Sequence, residues 1–481
     1  MKKGFYYLLL VFVAVAFSCK SIQPQSPNIV TQTPADSFTN NDNISTPVTP
    51  NDGSPQPLET EPVTSWATYL EGTSENADTA VVRSIEKDAV GNIYALIARK
   101  ENDSGNLWNL YLLKFGKNGA AEWQIPVVKE TLSYSFLALD NQGNVYVSGD
   151  YFIENKAINP YRSETNWSAP LNPYRNDFGG IGNESAFIAK YSSDGALLWN
   201  TYVNGLNVGI ITLDNDGNLY ISGGGIGLNG ILAKLGGDGV VQWSRELAAS
   251  PGSGSNSNTH SIKIDDQGNI YISGEISDLA AGANFVTKFQ SDGNEVWTSV
   301  LGGEGAVYFD LVDEMEVDYE GNVYVFGISS GSWGNPLSPF IGDSIGNGSY
   351  FAKLDRDGNL LWNTFLGYSA IISAIELDSN GNPSISGFSL SGWGNPKNAH
   401  SGNKDGFIAQ FDRNGSLLWN TFIGGVGNER VTVFNIISDS EVYIAGISDA
   451  AFESPLLNGL LNNNGGKGGI FIVSTSMEGL R

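Results

Sequence analysis

The chain has 481 residues, with 51 Asp and Glu against 26 Lys and Arg, a formal net charge of −25. Such a charge repels nucleic-acid phosphates and anionic lipid surfaces, and leaves basic proteins or cations as electrostatic partners. One cysteine, Cys19, excludes an intrachain disulfide or cysteine-based metal cluster, and two histidines, His260 and His400, supply a His-metal or Ser-His-Asp site poorly.

From the N-terminus, two lysines precede an apolar run over residues 5–17. That run is too short to span a bilayer as a helix, and its charged start and small-residue end predict a secretory signal over 1–18. Ala16-Phe17-Ser18-Cys19 resembles a lipobox, although Phe17 is bulky for that pattern. The resemblance implies cleavage before Cys19 and a diacylglycerol on its thiol. Several acyl chains, at ~0.8 kcal/mol per buried methylene, then hold the protein on a membrane. The expected location is the bacterial cell envelope, with the outer membrane favoured. Residues 19–63 combine Cys19 with a stretch rich in Ser, Thr, Pro and Asn, which predicts a disordered tether reaching roughly 35–40 Å.

From residue 64 onward the chain is built from one repeat. In its clearest copy Ile262, Ile264, Ile270 and Ile272 alternate with polar or small residues, the period of half-buried strands. Asp265-Asp266-Gln267-Gly268-Asn269 between them predicts a tight hairpin turn. Phe285, Thr287 and Phe289 mark a third strand, Ser291-Asp292-Gly293-Asn294 a second turn, and Val296 and Trp297 a fourth strand. The first turn recurs at 88–92, 140–144, 214–218, 318–322 and 378–382; a seventh copy, Ser438-Asp439-Ser440-Glu441, lacks the glycine. The fourth strand recurs at Trp123, Trp199, Trp243, Trp362 and Trp419. The last repeat has no fourth strand of its own, but Trp66-Ala67-Thr68-Tyr69 near the N-terminus matches it. The predicted fold is an all-β, seven-bladed β-propeller of four-stranded antiparallel blades over 64–481. Its ring is closed by the N-terminal strand pairing with the C-terminal blade.

The combination of Asp-x-x-Gly-Asn, an Ala-Lys strand and Asp-Gly followed by Trp resembles the bacterial seven-bladed β-propeller (SBBP) repeat. Departures are Ala95-Leu96-Ile97-Ala98 where other copies carry Ser-Gly, Pro383 inside a strand, and the missing glycine of the last blade. Members mostly have no defined biochemical activity, so the resemblance implies a fold and little about function.

Variation concentrates in the connection between strands B and C, lettered outward from the centre. It is long at 150–185, 328–350, 388–406 and 447–469, and short at 224–230 and 275–284. All these insertions emerge at one end of the blades, where repeat proteins commonly bind partners. Ser330-Gly331-Ser332-Trp333-Gly334-Asn335-Pro336 matches Ser391-Gly392-Trp393-Gly394-Asn395-Pro396. Trp167 lies in a looser relative that also carries Tyr161 and Tyr174. Trp108 is read as another connection residue. Trp167, Tyr161, Tyr174, Trp333 and Trp393 are therefore the candidate ligand-binding residues; the competing reading is that each tryptophan folds back to pin its loop.

The phased tryptophans suit packing between blades. Asp214-Asn215-Asp216-Gly217-Asn218 invites a calcium reading, but a strand follows where further oxygen ligands are needed, so a hairpin is expected. Carboxylates for sugar cleavage are present at Glu304, Asp310, Asp313 and Glu314, and at Glu429 beside Arg430, all in connections that could open on the channel mouth. The expectation is a monomeric, lipid-anchored propeller that binds a protein or glycan, with no cofactor and no metal. The alternatives are a carbohydrate-active enzyme with paired carboxylates at the channel, and a structural envelope component.

Overall fold

The Asp-x-x-Gly-Asn turn sets the local geometry of six of the seven blades. In blade 4, Asp265 Oδ1 accepts from the Gln267 and Asn269 amides at 3.0 and 2.8 Å, while Oδ2 accepts from Asn269 Nδ2 at 2.8 Å and the Tyr271 hydroxyl at 3.1 Å. Four donors occupy this carboxylate, so its oxygens act as a turn clamp. Asp88 and Asp214 repeat the same set of donors.

The computed structural model describes residues 29–32, 66–71, 80–100, 108–131, 135–152, 171, 184–204, 209–225, 228–247, 257–276, 283–302, 311–341, 348–366, 369–425, 427–449 and 469–481. Cys19, Tyr161, Trp167, Tyr174, Glu304 and Asp310 lie outside these residues, as do the signal segment and most of the tether. Seven antiparallel sheets result, six of four strands and one of five. Their innermost A strands are Ala80–Lys87, Ser135–Leu139, Ile210–Leu213, Ser257–Ile264, Leu311–Val317, Ala370–Leu377 and Glu429–Ser438. Successive A strands pack against one another around the ring, the last against the first. Among the described residues, no helix is long and apolar enough to cross a membrane.

Closure follows the expected register. Trp66–Glu71 pairs antiparallel with Gly469–Thr475, from Trp66 opposite Ser474 to Glu71 opposite Gly469. The same strand carries Ile29–Gln32 on its outer edge, from Ile29 opposite Leu70 to Gln32 opposite Ala67. The tether thus contributes a fifth strand where none is expected from its composition; an open sheet edge satisfies any backbone that reaches it. Pro383 opens strand B of blade 6, paired with Leu377, a first-residue position that spares the ladder a missing N–H. Trp108 opens strand C of blade 1 instead of lying in a connection, with Lys100 Nζ 4.6 Å from its ring centre.

The blades are glued by a repeated tyrosine–tryptophan–turn contact. Tyr94, Tyr146, Tyr220, Tyr271 and Tyr324 are buried on their B strands and meet Trp123, Trp199, Trp243, Trp297 and Trp362 edge-on, with ring centres 6.0–6.3 Å apart. Such geometry contributes about 0.5–1.5 kcal/mol per pair beyond area burial. The indole N–H then reaches the next blade: Trp199 to Gly237 O at 3.1 Å, Trp297 to Arg356 O at 3.0 Å, Trp362 to Arg413 O at 3.1 Å. Gly358 shows why that turn needs glycine. Its φ is +86°, and a Cβ there would sit 2.9 Å from the Trp297 ring.

Candidate functional site

Seven equivalent positions, one on each A strand, form a layer around the central channel: Glu86, Ala138, Thr212, Lys263, Glu316, Glu376 and Asn435. Their equivalence is set by register, because they face Tyr94, Tyr146, Tyr220, Tyr271, Tyr324, Ser384 and Tyr443 of their B strands. The facing position is nearly constant, whereas the channel position is three glutamates, a lysine, an asparagine, a threonine and an alanine. Six of the seven line a cavity of about 330 Å³, together with Glu314 and His260.

Lys263 pairs with Glu316 of the neighbouring blade, and Asn435 Nδ2 donates to Ile85 O at 3.1 Å. Glu314 Oε2 accepts from the Ile375 amide at 3.3 Å. Burial pushes the Glu86 carboxyl up to about 7; Lys263 opposes the rise and Glu316 adds to it. Burial also holds Glu376 well above the usual carboxylate range, with Glu316 adding to the effect. Burial lowers the His260 imidazole, with Glu275 opposing. A carboxyl poised near neutrality beside other carboxylates can hold or release a proton at working pH. Of the acidic candidates from sequence, Glu314 reaches this cavity.

Glu429 and Arg430 do not. Glu429 is buried, accepting from Gly425 N at 3.0 Å and Ser448 Oγ at 2.9 Å, and burial raises its pKa. Nearby Asp405, also buried, accepts from the Ser401 and Gly402 amides at 2.6 and 3.0 Å. This is a clamp on loop backbone between blades 6 and 7, and Arg430 lies over the Phe388 ring at 4.8 Å. His400 is likewise structural: Nε2 bonds Ser389 O at 3.1 Å and the ring meets Phe422 edge-on. Among the described residues, no three or more His, Cys, Asp or Glu are grouped to hold a metal ion.

The two long described B–C connections leave the blades at the expected end, then run along the outer D strand. Trp333 is 7% exposed and wedged edge-on against Tyr350 and Phe365 at 5.1 and 6.3 Å. Its carbonyl accepts from Asn363 Nδ2 at 2.8 Å, and Leu337 N donates back to Asn363 O at 2.8 Å. Trp393 repeats this against Phe407 and Phe422 at 5.2 and 6.2 Å, with Asn420 Nδ2 on its carbonyl at 2.7 Å and Lys397 N on Asn420 O at 3.0 Å. Stacking on a sugar needs an open ring face, and packing leaves Trp333 none; Trp393 is half-buried in the same arrangement. Both tryptophans pack as loop anchors, the competing reading of the sequence, and for Trp333 the packing leaves no face open for stacking.

The glycine of Trp-Gly-Asn-Pro explains itself. Gly334 has φ +63°, and its missing Cβ would lie 2.7 Å from Asn363 Oδ1. Asn363 and Asn420 are the residues that sequence reasoning passed over. The signal was present: asparagine follows the D-strand tryptophan at Asn200, Asn363 and Asn420, in the three blades with Trp-containing B–C loops, but not after Trp123, Trp243 or Trp297. In blade 2, Leu171 N donates to Asn200 O at 2.8 Å, the same bond at the same register.

Residues 242–278 match the family described as "SBBP: Beta-propeller repeat". No curated protein matches the chain. Solved structures that the chain matches include a protein of unknown function from Bacteroides caccae, 12% identical, covering 72% of this chain and 93% of that one, with a TM-score of 0.36. A second, from Dyadobacter fermentans and also of unknown function, is 10% identical, covering 83% and 96%, with a TM-score of 0.43. The polysaccharide lyase Uly1 is 11% identical, covering 82% and 90%, with a TM-score of 0.47.

Proposed function

We propose that this chain is a lipid-anchored bacterial envelope protein whose propeller binds a protein or glycan through the side of the disc built by the B–C connections. The observation that carries the reading is the docking of the blade 5 and blade 6 loops onto Asn363 and Asn420. Loops held this way present a preorganised surface, which lowers the ordering entropy lost on binding. Leu337, Ile341 and Leu390 stand exposed on it. The lipobox-like Cys19 supports the anchor, and the acidic balance supports a basic or neutral partner over a nucleic acid.

The test is a glycan array and envelope-protein binding screen with the full chain and with Leu337→Asp plus Ile341→Asp. Both side chains are exposed, so the fold should persist by circular dichroism. Loss of a specific ligand supports the reading; a specific ligand that binds both proteins equally contradicts it. Mass spectrometry of protein from membranes tests the anchor, expected as a diacylglycerol adduct on Cys19.

A second reading rests on the cavity carboxylates. Glu86, with its pKa near 7, and Glu314 line one cavity, a pairing suited to acid–base cleavage of a glycosidic bond. Turnover of a glycan lost in Glu86→Gln and Glu314→Gln, with melting retained, would favour it; turnover unchanged in both would remove it.

A further inference from the structure

At the turn end of the blades, opposite the long loops, one junction breaks the repeat. The strand C lysine ordinarily reaches across to the next blade: Lys114 Nζ donates to Ser193 O at 3.2 Å, Lys190 to Gly237 O at 3.3 Å and Lys353 to Arg413 O at 3.4 Å. Lys190, Lys234 and Lys353 also pair with Asp140, Asp214 and Asp318. Lys288 of blade 4 does neither among the described residues. Asp265 is occupied by Asn269 and Tyr271, and Lys288 Nζ rests 4.9 Å from the Tyr271 ring centre.

The arginine of the next turn departs as well. Between blades 5 and 6, Arg413 fills the junction, bonding Glu320 at 2.6 Å, Asp318 at 3.4 Å and the Tyr319 hydroxyl at 3.2 Å. Arg356 holds the same place between blades 4 and 5, yet its side chain is 72% exposed and its nearest carboxylate is its neighbour Asp357 at 4.0 Å. The unfilled junction is a cleft of about 690 Å³ lined by Lys288, Arg356, Trp297, Tyr319, Gln267 and Asp357 among others. Tyr319 is 63% exposed, and it is the one aromatic residue at the second position of any first turn.

We infer that this cleft binds an acidic saccharide, its carboxylate or sulfate held between Lys288 and Arg356 and its ring against Tyr319. Among the described residues Lys288 makes no ion pair and Arg356 pairs only with its exposed neighbour Asp357, so both cations can turn to an anionic group on a chain of charge −25. Asp265, Glu320 and Asp357 on the same walls repel a ligand that is anionic throughout. A sugar meets both demands, because it brings hydroxyl donors for the exposed Asp357 carboxylate and a C–H face for the tyrosine. The site stands apart from the loop surface proposed above: it lies between blades 4 and 5, whereas Leu337 lies against the Gly415 turn of blade 6.

The experiment is isothermal titration of the full chain with oligosaccharides carrying a single uronate, oligosaccharides carrying a single sulfate, and neutral cello-oligosaccharides. The expected result is binding of an acidic probe at least about tenfold tighter than the neutral one, weakened about tenfold by Lys288→Met or by Arg356→Gln, and further by added salt. Melting should change little in either variant, since Lys288 gives up only its contact with the Tyr271 ring and Arg356 only an exposed pair with Asp357. Lys190→Met, in the filled junction of blades 2 and 3, should lower melting and leave the affinity intact. Absence of acidic-probe binding at millimolar concentration overturns the inference. So does affinity unchanged in both cation variants, or affinity lost only with Leu337→Asp and Ile341→Asp on the loop surface.

Discussion

The blade junctions and the channel layer are built by the same seven-fold repetition and use it in opposite ways. At the junctions, tyrosine, tryptophan and turn recur in near-identical geometry, edge-on at 6.0–6.3 Å, and three of the indole N–H groups bond the next blade's turn. In the channel, the equivalent position changes from blade to blade and collects Glu86, Lys263, Glu316 and Glu376 on half-buried sites. Where repetition is kept, it serves the fold. Where it is abandoned, burial disfavours the Glu86 and Glu376 carboxylates, while neighbouring carboxylates, Glu316 first, hold Lys263 charged.

The two regions also carry opposite pH signatures. Burial would raise Asp140 and Asp214 of the turns, but donors from Asn144 and Lys190, and from Asn218 and Lys234, hold both below the ordinary carboxylate value. Their stabilisation is full above the unfolded pKa and is lost as pH falls through the folded one. Glu86 and Glu376 are raised, so their contribution is full below about 4.5 and is lost as pH climbs.

Substitutions can widen or close this contrast. The largest effect is expected for Trp333→Ala, which removes a buried indole from between Tyr350 and Phe365 and should destabilise by about 3–5 kcal/mol in urea unfolding. Trp333→Phe should recover part of that, whereas a ligand-contact residue would show no melting change with either. Asp318→Ala comes next: it strips acceptors from the Glu320 and Asn322 amides and from Arg413, for about 1–3 kcal/mol. Asn363→Ala should have a similar effect and also expose the blade 5 loop to proteolysis. Leu361→Lys, on an exposed D-strand edge, should stay within about 0.5 kcal/mol.

Blade number, strand order and ring closure were legible because each rests on local signals that repeat: period-two alternation, Asp-Gly turns and a phased tryptophan. The fate of the Trp-Gly-Asn-Pro loops was less legible. An exposed and a buried tryptophan look alike in a connection, and the deciding partner, Asn363, lies 30 residues away on another strand. The channel layer was hidden for a different reason. Glu86, Lys263, Glu316 and Glu376 sit at unremarkable polar positions of alternating strands, and only the register brings them to one level. The open cleft at Lys288 was concealed by conformity, since its lysine, turn and tryptophan all match the repeat and only the bonds differ.

The most direct test is urea unfolding of the full chain at pH 5 and pH 8, wild type beside Glu86→Gln. The wild type should lose stability between the two, and the neutral glutamine should remove roughly 1–3 kcal/mol of that loss, leaving the variant the more stable protein at pH 8. A glutamine variant no more stable than wild type at pH 8, with the pH dependence unchanged, would contradict the claim that burial opposes the Glu86 charge in the channel.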